Sequence, residues 1–356
     1  MIRKYYGNED GIKALSFNAL FNFIVSNRTY GKTWTFKRRS FVRAMKHGKR
    51  TIWLRLFKNE ARECINSMYT SKDLQKYCGI DPYDKESNPK GNFKQIGNTF
   101  YYRPKPKMKW RWFLKVYALS DVGKLRSVDD VDTDTIVFDE FTKPYSTYKH
   151  YKGGSNQIVN DFIDIYFSIK REHKVRCVLI GNKESVNNPF YTYFGIPPLP
   201  SSYEGFKRFR EGSILVQQIN NPVIETEEYD RKVHALLEGT QYGNFIYNSD
   251  YKANTGMKPK KTPCDAVLYT QLIMNGVQLK IASKEGIFYV SNRIDNTRHV
   301  YCDVLQNKYV NERLLVNRYK KYFIGLINAL ADNRVRYESV GLYEAIQPFY
   351  QWLNVS

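Results

Sequence analysis

Short, almost uninterrupted runs of apolar residues punctuate the N-terminal part of the chain at Phe21–Val25, Thr51–Leu56, Thr135–Phe138 and Arg176–Ile180. Each is the length of a strand and is separated from the next by enough residues for a crossover helix. That is the pattern of strands buried on both faces of a parallel sheet. One crossover helix is expected from Trp34 to Lys46, and another closes on the basic cluster Lys170-Arg171-Glu172-His173-Lys174. The pattern then changes. Turn residues gather at Asn220-Asn221-Pro222, at Gly239-Thr240-Gln241-Tyr242-Gly243 and between Thr255 and Pro263. Beyond them Ala266–Met274, Val277–Ala282 and Ile287–Ser291 read as strands, joined by Asn275-Gly276 and Lys284-Glu285-Gly286 into an antiparallel meander. Two helical patterns follow, over Glu312–Ala331 and Ser339–Leu353. The expected organisation is an α/β domain over residues 1–218, a linker or lid region over 219–262 and a small α+β domain over 263–356.

Composition adds a polyanionic partner to this outline. Hydrophobic residues make up 42% of the 356 positions, enough for buried cores, while the formal charge is +21. No acidic residue occurs between Gly11 and Asn59, a span that holds Arg28, Lys32, Lys37, Arg38, Arg39, Arg43, Lys49, Arg50, Arg55 and Lys58 among its bases. A nucleotide alone does not need so many, and nucleic acid is the default partner. A second acid-free span, Gly91 to Ser120, carries Arg103, Lys105, Lys107, Lys109 and Arg111 at alternate positions. These would line one side of an extended segment that Pro104 and Pro106 keep out of a central strand. Contact with a nucleic-acid backbone, without reading of its sequence, is the inference these bases support.

The remaining chemistry-bearing residues exclude more than they suggest. Five cysteines and five histidines are scattered without paired short spacing, which argues against a zinc site and for a reducing compartment. No apolar run reaches membrane-spanning length and the N-terminus has no signal-peptide core, so a soluble intracellular protein with no membrane partner is expected.

Two motifs give the α/β domain a function. Ser26-Asn27-Arg28-Thr29-Tyr30-Gly31-Lys32-Thr33 follows the first strand and opens a helix, as a phosphate-binding (Walker A) loop does, with serine where the first glycine would stand. In such a loop backbone amides wrap the β-phosphate, Lys32 reaches the β- and γ-phosphates, and the Thr33 hydroxyl ligates Mg²⁺. About a hundred residues on, Thr135-Ile136-Val137-Phe138-Asp139-Glu140 is an apolar strand ending in two acids, a Walker B pattern. Asp139 would hold the Mg²⁺ and Glu140 would polarise the attacking water. ATP and Mg²⁺ are the implied cofactors. The strand Cys177–Gly181 leads to Asn182, which reads either as a sensor of the γ-phosphate or as a turn asparagine. A basic residue acting in trans on a neighbouring subunit's nucleotide could be Arg171 or Lys170, or Lys124 or Arg126 in the loop before Walker B.

Taken together, the Ser26–Thr33 loop, Thr135–Phe141, the Val175–Asn182 strand, Val186-Asn187-Asn188-Pro189-Phe190 and Glu238-Gly239-Thr240-Gln241-Tyr242-Gly243 closely resemble the genome-packaging ATPases of phi-29-like tailed phages, over most of the chain. The resemblance implies an ASCE-type P-loop NTPase domain with a mostly parallel sheet, followed by a degenerate RNase H-like nuclease domain. It implies a homo-oligomeric, pentameric ring in the host cytoplasm, bound transiently at the portal vertex of an empty capsid and absent from the mature virion. That ring would pump double-stranded DNA inward with ATP, in some members with a structural packaging RNA as a further partner. On the matching positions it assigns Lys32 and Thr33 to nucleotide and Mg²⁺, Asp139 to the metal, Glu140 to water activation, Asn182 to coupling that glutamate to DNA engagement, and Lys58 to the pore-facing DNA contact; Lys124 and Arg171 align with the trans-acting residues. Relatives carry glycine where Ser26 stands, which puts strain in the loop's first turn, and ATP affinity, in question. The first strand of the C-terminal domain carries no acid between Ala266 and Met274, so no nuclease activity is expected. The alternatives are a packaging terminase that also cuts DNA with its C-terminal domain, and a nucleic-acid-binding protein with an inactive nucleotide site.

Overall fold

The computed structural model of the chain describes residue 6 and residues 8–27, 30–70, 92–105, 107–124, 131–143, 145–148, 150–171, 173–183, 188–196, 199, 203–220, 235–237, 260–274, 277–303, 305, 311–332, 334–338 and 340–353. Arg28, Thr29, Arg126, Asn275-Gly276, the Glu238–Gly243 phrase and nearly all of the expected linker at 219–262 lie outside the described residues. The chain divides into two compact units, Met1–Glu184 with Ser201–Asp250, and Ser185–Pro200 with Tyr251–Ser356.

The first unit is an α/β layer structure. Its elements are α1 (Asn8–Ser16), β1 (Phe21–Ser26), α2 (Lys32–His47), β2 (Arg50–Arg55), α3 (Lys58–Ser67), β3 (Phe93–Ile96), β4 (Thr99–Tyr102), β5 (Arg111–Ala118), β6 (Thr133–Asp139), α4 (Tyr145–Tyr148), α5 (Gly154–Lys170), β7 (Arg176–Asn182), β8 (Gly205–Phe209) and β9 (Ile214–Gln218). The strands form one nine-stranded sheet in the order β3-β4-β5-β2-β6-β7-β1-β9-β8. Its centre, from β5 to β9, is parallel throughout, and the flanking pairings β3–β4, β4–β5 and β8–β9 are antiparallel, so that β4 and β8 run against the rest. The continuous apolar runs are explained by this burial: Phe23, Ile24, Trp53, Leu54, Val137, Val178 and Leu179 are fully enclosed. One strand, β7, sits between the phosphate-loop strand β1 and the Walker B strand β6, which is the additional strand that gives ASCE-type NTPases their name.

Two expectations change here. The alternating bases from Arg103 to Arg111 do not form an extended cationic row. After β4 the chain bends and turns, with the Met108 amide donating to the Lys105 carbonyl at 3.0 Å. Arg103 is buried, its guanidinium 4.6 Å from the Trp110 ring centre. The prolines that exclude a strand also deny the segment the regular alternation that would align its charges. In addition, α2 begins at Lys32, directly after Gly31 in a left-handed conformation (φ 89°), so both motif residues Lys32 and Thr33 lie on the helix's first turn.

The second unit contains α6 (Pro189–Phe194), β10 (Val267–Met274), β11 (Val277–Lys284), β12 (Ile287–Ser291), β13 (Val300–Cys302), β14 (Glu312–Leu314), α7 (Ile324–Ala331), β15 (Val335–Tyr337) and α8 (Val340–Leu353). Its sheet has the order β14-β13-β10-β11-β12-β15. The meander β10-β11-β12 is antiparallel as expected, and β13, β14 and β15, which were not expected as strands, add to its two edges in parallel. The helix expected over Glu312–Ala331 is instead a strand, a 3₁₀ segment at Asn317–Phe323 and the short helix α7. Pairing of Glu312–Leu314 with Val300–Cys302 overrides their helical periodicity. Leu272, Ile281, Val290, Leu326, Ile346 and Phe349 form its core.

Two glycines probe how tightly these units are packed. A Cβ on Gly181, at the end of β7, would stand 2.2 Å from the Thr142 hydroxyl and 3.0 Å from the Phe141 ring. On Gly325, in the first turn of α7, the nearest atom would be the Tyr269 hydroxyl at an ordinary 3.6 Å. In urea denaturation followed by circular dichroism, Gly181→Ala is expected to lose about 1–3 kcal/mol through overpacking. Gly325→Ala is expected to gain about 0.5 kcal/mol by restricting the unfolded chain.

Candidate functional site

Parallel register places the chemistry. Ser26 pairs with Asn182 across β1 and β7, and Asp139 with Ile180 across β6 and β7, so three strand ends deliver their polar residues to one edge of the sheet. Open parallel sheets bind ligands outside the carboxyl ends of their strands. A cavity of about 500 Å³ lies there, and its walls include Gly31, Lys32, Thr33, Asp139, Glu140 and Asn182. The N-terminus of α2 opens into it, bringing unpaired backbone amides and the positive end of the helix dipole.

Lys32 is buried in this edge. Its ammonium donates to the Ser26 hydroxyl, to the Asn27 carbonyl at 3.0 Å and to the Asn182 side-chain oxygen at 3.3 Å. Three acceptors match its three donors, yet burial pushes its pKa down to about 7, with Asp139 and Glu140 pulling upward and Lys183 downward. Ser26 is thus more than a missing glycine. It lies in β1 with a backbone outside the positive-φ region, so its side chain costs no left-handed strain, and it supplies one of the acceptors that hold Lys32. Glycine could offer no such contact.

Beside it, the Thr33 hydroxyl donates to Asp139 Oδ1 at 3.1 Å. Burial raises the Asp139 carboxyl above the ordinary carboxylate range, against the opposing pull of Arg55. Glu140 takes a left-handed backbone (φ 57°), an uncommon conformation for a residue with a side chain and one that clusters at functional sites. Thr33 and Asp139 together offer a hydroxyl and a carboxylate oxygen, the hard donors that Mg²⁺ takes while keeping several waters, so the residues present fit that ion.

Sequence reading missed the cations that hold these acids. Arg55, at the end of β2, reaches Asp139 Oδ2 at 3.0 Å and Glu140 Oε2 at 2.7 Å, one guanidinium nitrogen to each carboxylate. Lys143 donates to the same Glu140 oxygen at 2.7 Å and to Glu60 at 3.1 Å. Arg55 could have been found, because a base at the end of a strand next to Walker B must face the two acids once Leu54 pairs with Phe138. Lys143 had only its i,i+3 spacing from Glu140.

The other expected site residues lie elsewhere. Lys58 is exposed at the start of α3 and pairs with Asp121 at 2.9 Å. Lys124 ends the 3₁₀ segment that follows β5, at the same edge of the sheet as the cavity. Arg171 caps α5, where the chain returns to the start of β7, and so occupies the opposite edge. Asn182 contacts Lys32 through its side chain, while its carbonyl accepts from the Thr142 hydroxyl at 2.8 Å. Among the described residues no helix is long and apolar enough to cross a membrane.

The chain is similar to the DNA packaging protein of Bacillus phage B103, 22% identical over 331 residues, covering 91% of this chain and 94% of that protein. It is likewise similar to the DNA packaging protein of Bacillus phage phi29, 23% identical over 332 residues and covering 92% of each. Among solved structures it shares its fold with a chain of the bacteriophage Phi-29 viral genome packaging motor assembly, with a TM-score of 0.66 at 21% identity, covering 98% of this chain and 99% of that one. The family model of the podovirus DNA encapsidation protein (Gp16) matches residues 1–349, and the chain belongs to that family.

Proposed function

We propose that the chain is the ATP-hydrolysing subunit of a ring motor that drives double-stranded DNA through the portal into an empty capsid. One observation carries the reading: Lys32, Thr33, Asp139 and Glu140 converge on one cavity at the carboxyl ends of β1, β6 and β7, in front of the first turn of α2. The family and the packaging function named for its relatives give the hydrolysis its purpose.

In this reading Lys32 moves from its three protein acceptors to the β- and γ-phosphates, and the amides at the start of α2 cradle the β-phosphate. Thr33 and Asp139 would hold Mg²⁺, which when bound neutralises charge on the phosphates. Glu140 orients the attacking water and accepts its proton. A carboxylate gripped by both Arg55 and Lys143 is a weak base, so Glu140 has to leave at least one of them before it can act. Asn182, bonded to Lys32, is placed to register when that lysine shifts to a γ-phosphate. Lys124, at the nucleotide edge, and Arg171, at the opposite edge, are the proposed trans residues, and Lys58 is the proposed DNA contact. Ring assembly, the portal and a structural RNA complete the proposed set of partners.

The cutting alternative is disfavoured by a particular residue. The buried polar positions in the middle of β10 are Thr270 and Gln271, and the Gln271 side chain donates to the Asp295 carbonyl at 3.0 Å and accepts from the Asp295 amide. The Gln271 side chain is thus engaged in pinning a loop, and the strand carries no carboxylate.

The decisive experiment measures ATP turnover with and without duplex DNA and purified empty capsids. Wild type is expected to be stimulated by both. Glu140→Gln should lose about 10²–10⁴ in kcat, the usual contribution of a positioned base. Stimulated turnover that survives in Glu140→Gln would overturn its role, and DNA binding without turnover in the wild type would leave a binding protein. Burial of Lys32 adds a pH dependence. With a pKa of about 7 in the empty site, most of the population holds a neutral amine at pH 8, and phosphate oxygens restore its charge. Binding of ADP should then take up a proton, little at pH 6 and approaching one at pH 8, and affinity should fall as pH rises above 7. Calorimetry in two buffers of different ionisation enthalpy reads this directly, and zero uptake at pH 8 would show a fully charged lysine in the empty site.

A further inference from the structure

The first unit holds another cavity, about 410 Å³, at the amino ends of β6 and β7. It lies away from the nucleotide edge: Asp134 and Asp139 are the near and far ends of β6, about 17 Å apart at strand rise. Its wall is made of bases the sequence scatters over two clusters. Arg39 and Arg43, one turn apart on α2, and Lys49 in the turn to β2 meet Lys174 and Arg176 at the start of β7.

Against these five cations the wall has one carboxylate, Asp134. Arg43 already pairs with it. Arg176 is committed to the Leu15 carbonyl at 3.3 Å and to Asn18 at 2.7 Å, and Lys174 donates to the same Asn18 oxygen at 2.9 Å. His173 meets the Thr133 carbonyl at 2.8 Å. Arg39 has no hydrogen bond or ion pair among the described residues. Burial loosens its hold on its proton, and Arg43 and Arg176, close enough to repel it, loosen it further, with Asp134 opposing. A guanidinium in such surroundings remains charged. Its donors meet no acceptor among the described residues, and the one carboxylate of the wall, Asp134, is already paired with Arg43, inside a concave and strongly positive wall.

We propose that this cavity is a second phosphate site, distinct from the nucleotide site, with Arg39 as its central ligand and Lys49 and Lys174 at its rim. The planar fork of a guanidinium matches two phosphate oxygens, and a phosphate group supplies counter-charge to a wall of five bases that holds a single carboxylate. That group can come from a nucleic-acid backbone or from a free polyphosphate.

The test uses the full chain with its nucleotide site saturated by ADP and Mg²⁺, and two probes: a short fluorescent DNA duplex followed by anisotropy over a salt series, and tripolyphosphate followed by thermal shift. Variants are Arg39→Gln with Lys49→Gln, and, should that pair fail to fold, Lys49→Gln with Lys174→Gln. The control is Lys105→Gln with Lys107→Gln, exposed bases outside the cavity. A backbone ligand predicts about tenfold weaker duplex binding than the control and a log–log salt slope lower by about 1.8, at 0.9 per lost phosphate contact, with tripolyphosphate unchanged. A free polyphosphate predicts loss of the tripolyphosphate shift with duplex binding equal to the control. Loss of both responses means that the site accepts either source. A folded cavity variant that matches the control with both probes overturns the proposal.

Discussion

Everything at the nucleotide edge depends on the parallel register of β1, β7 and β6. Inserting β7 between the other two separates the phosphate loop from the Walker B acids by two strand spacings, about 10 Å, a gap that a nucleotide's phosphates and a hydrated cation can fill. Ser26 is level with Asn182, and Asp139 with Ile180 two residues earlier, so the loop lysine, the polar residue of the middle strand and the Asp139 carboxylate emerge at the same edge of the sheet. A slip of β6 by one residue against β7 would turn Asp139 to the other face of the sheet. The fully apolar bodies of the three strands, enclosed on both faces, are what make such a slip costly.

Within that frame the site is a set of charges that compensate one another, Lys32 and Asp139 buried and Glu140 half-exposed. Lys32 is stabilised by neutral acceptors as well as by distant acids, so removal of either kind shifts its protonation. Arg55 bridges the two acids, tying the residue that fits a metal ion to the residue that fits a base. Opposite charges in a poorly solvated site interact far more strongly than on the surface, and breaking such a bridge leaves an uncompensated charge behind. A change at Asp139 is therefore felt at Glu140 through one guanidinium. The left-handed backbone of Glu140 adds a local strain that only the surrounding contacts sustain.

How much of this was legible in the sequence varies with the range of the interaction that decides it. The central strands were readable because burial on both faces writes itself as an apolar run, and the meander because turn residues, Asn275-Gly276 and Lys284-Glu285-Gly286, separate its runs; Gly286 takes the positive φ (73°) that suits a glycine. The strand β14 was not, since pairing with β13 decides its conformation and its own residues carry a helical period. Charges gave the same lesson. Arg103 belongs to a conspicuous basic alternation, yet its partner is the Trp110 ring, which no charge count reveals. Arg55 and Lys143 stood in view as ordinary bases, and only strand adjacency separates them from the other cations of their spans.

The excess of positive charge acquires a structure once its members are sorted by partner. Some bases are neutralised internally: Arg55 and Lys143 by the acids of the nucleotide edge, Arg43 by Asp134, Lys58 by Asp121. Others are packed on aromatic rings, as Arg50 and Lys115 are on Trp112 at 4.7 and 4.3 Å. Neither group is available to a polyanion without giving up a partner it already has. A net charge is thus a poor measure of nucleic-acid affinity here, and the bases that matter are those whose counter-charge the fold does not provide. On α2 both kinds occur a few residues apart, Lys32 held by three acceptors at one end and Arg39 without an ion pair among the described residues further along. One helix therefore joins the nucleotide edge to the positive cavity at the other end of the strands, as a rigid element that spans both.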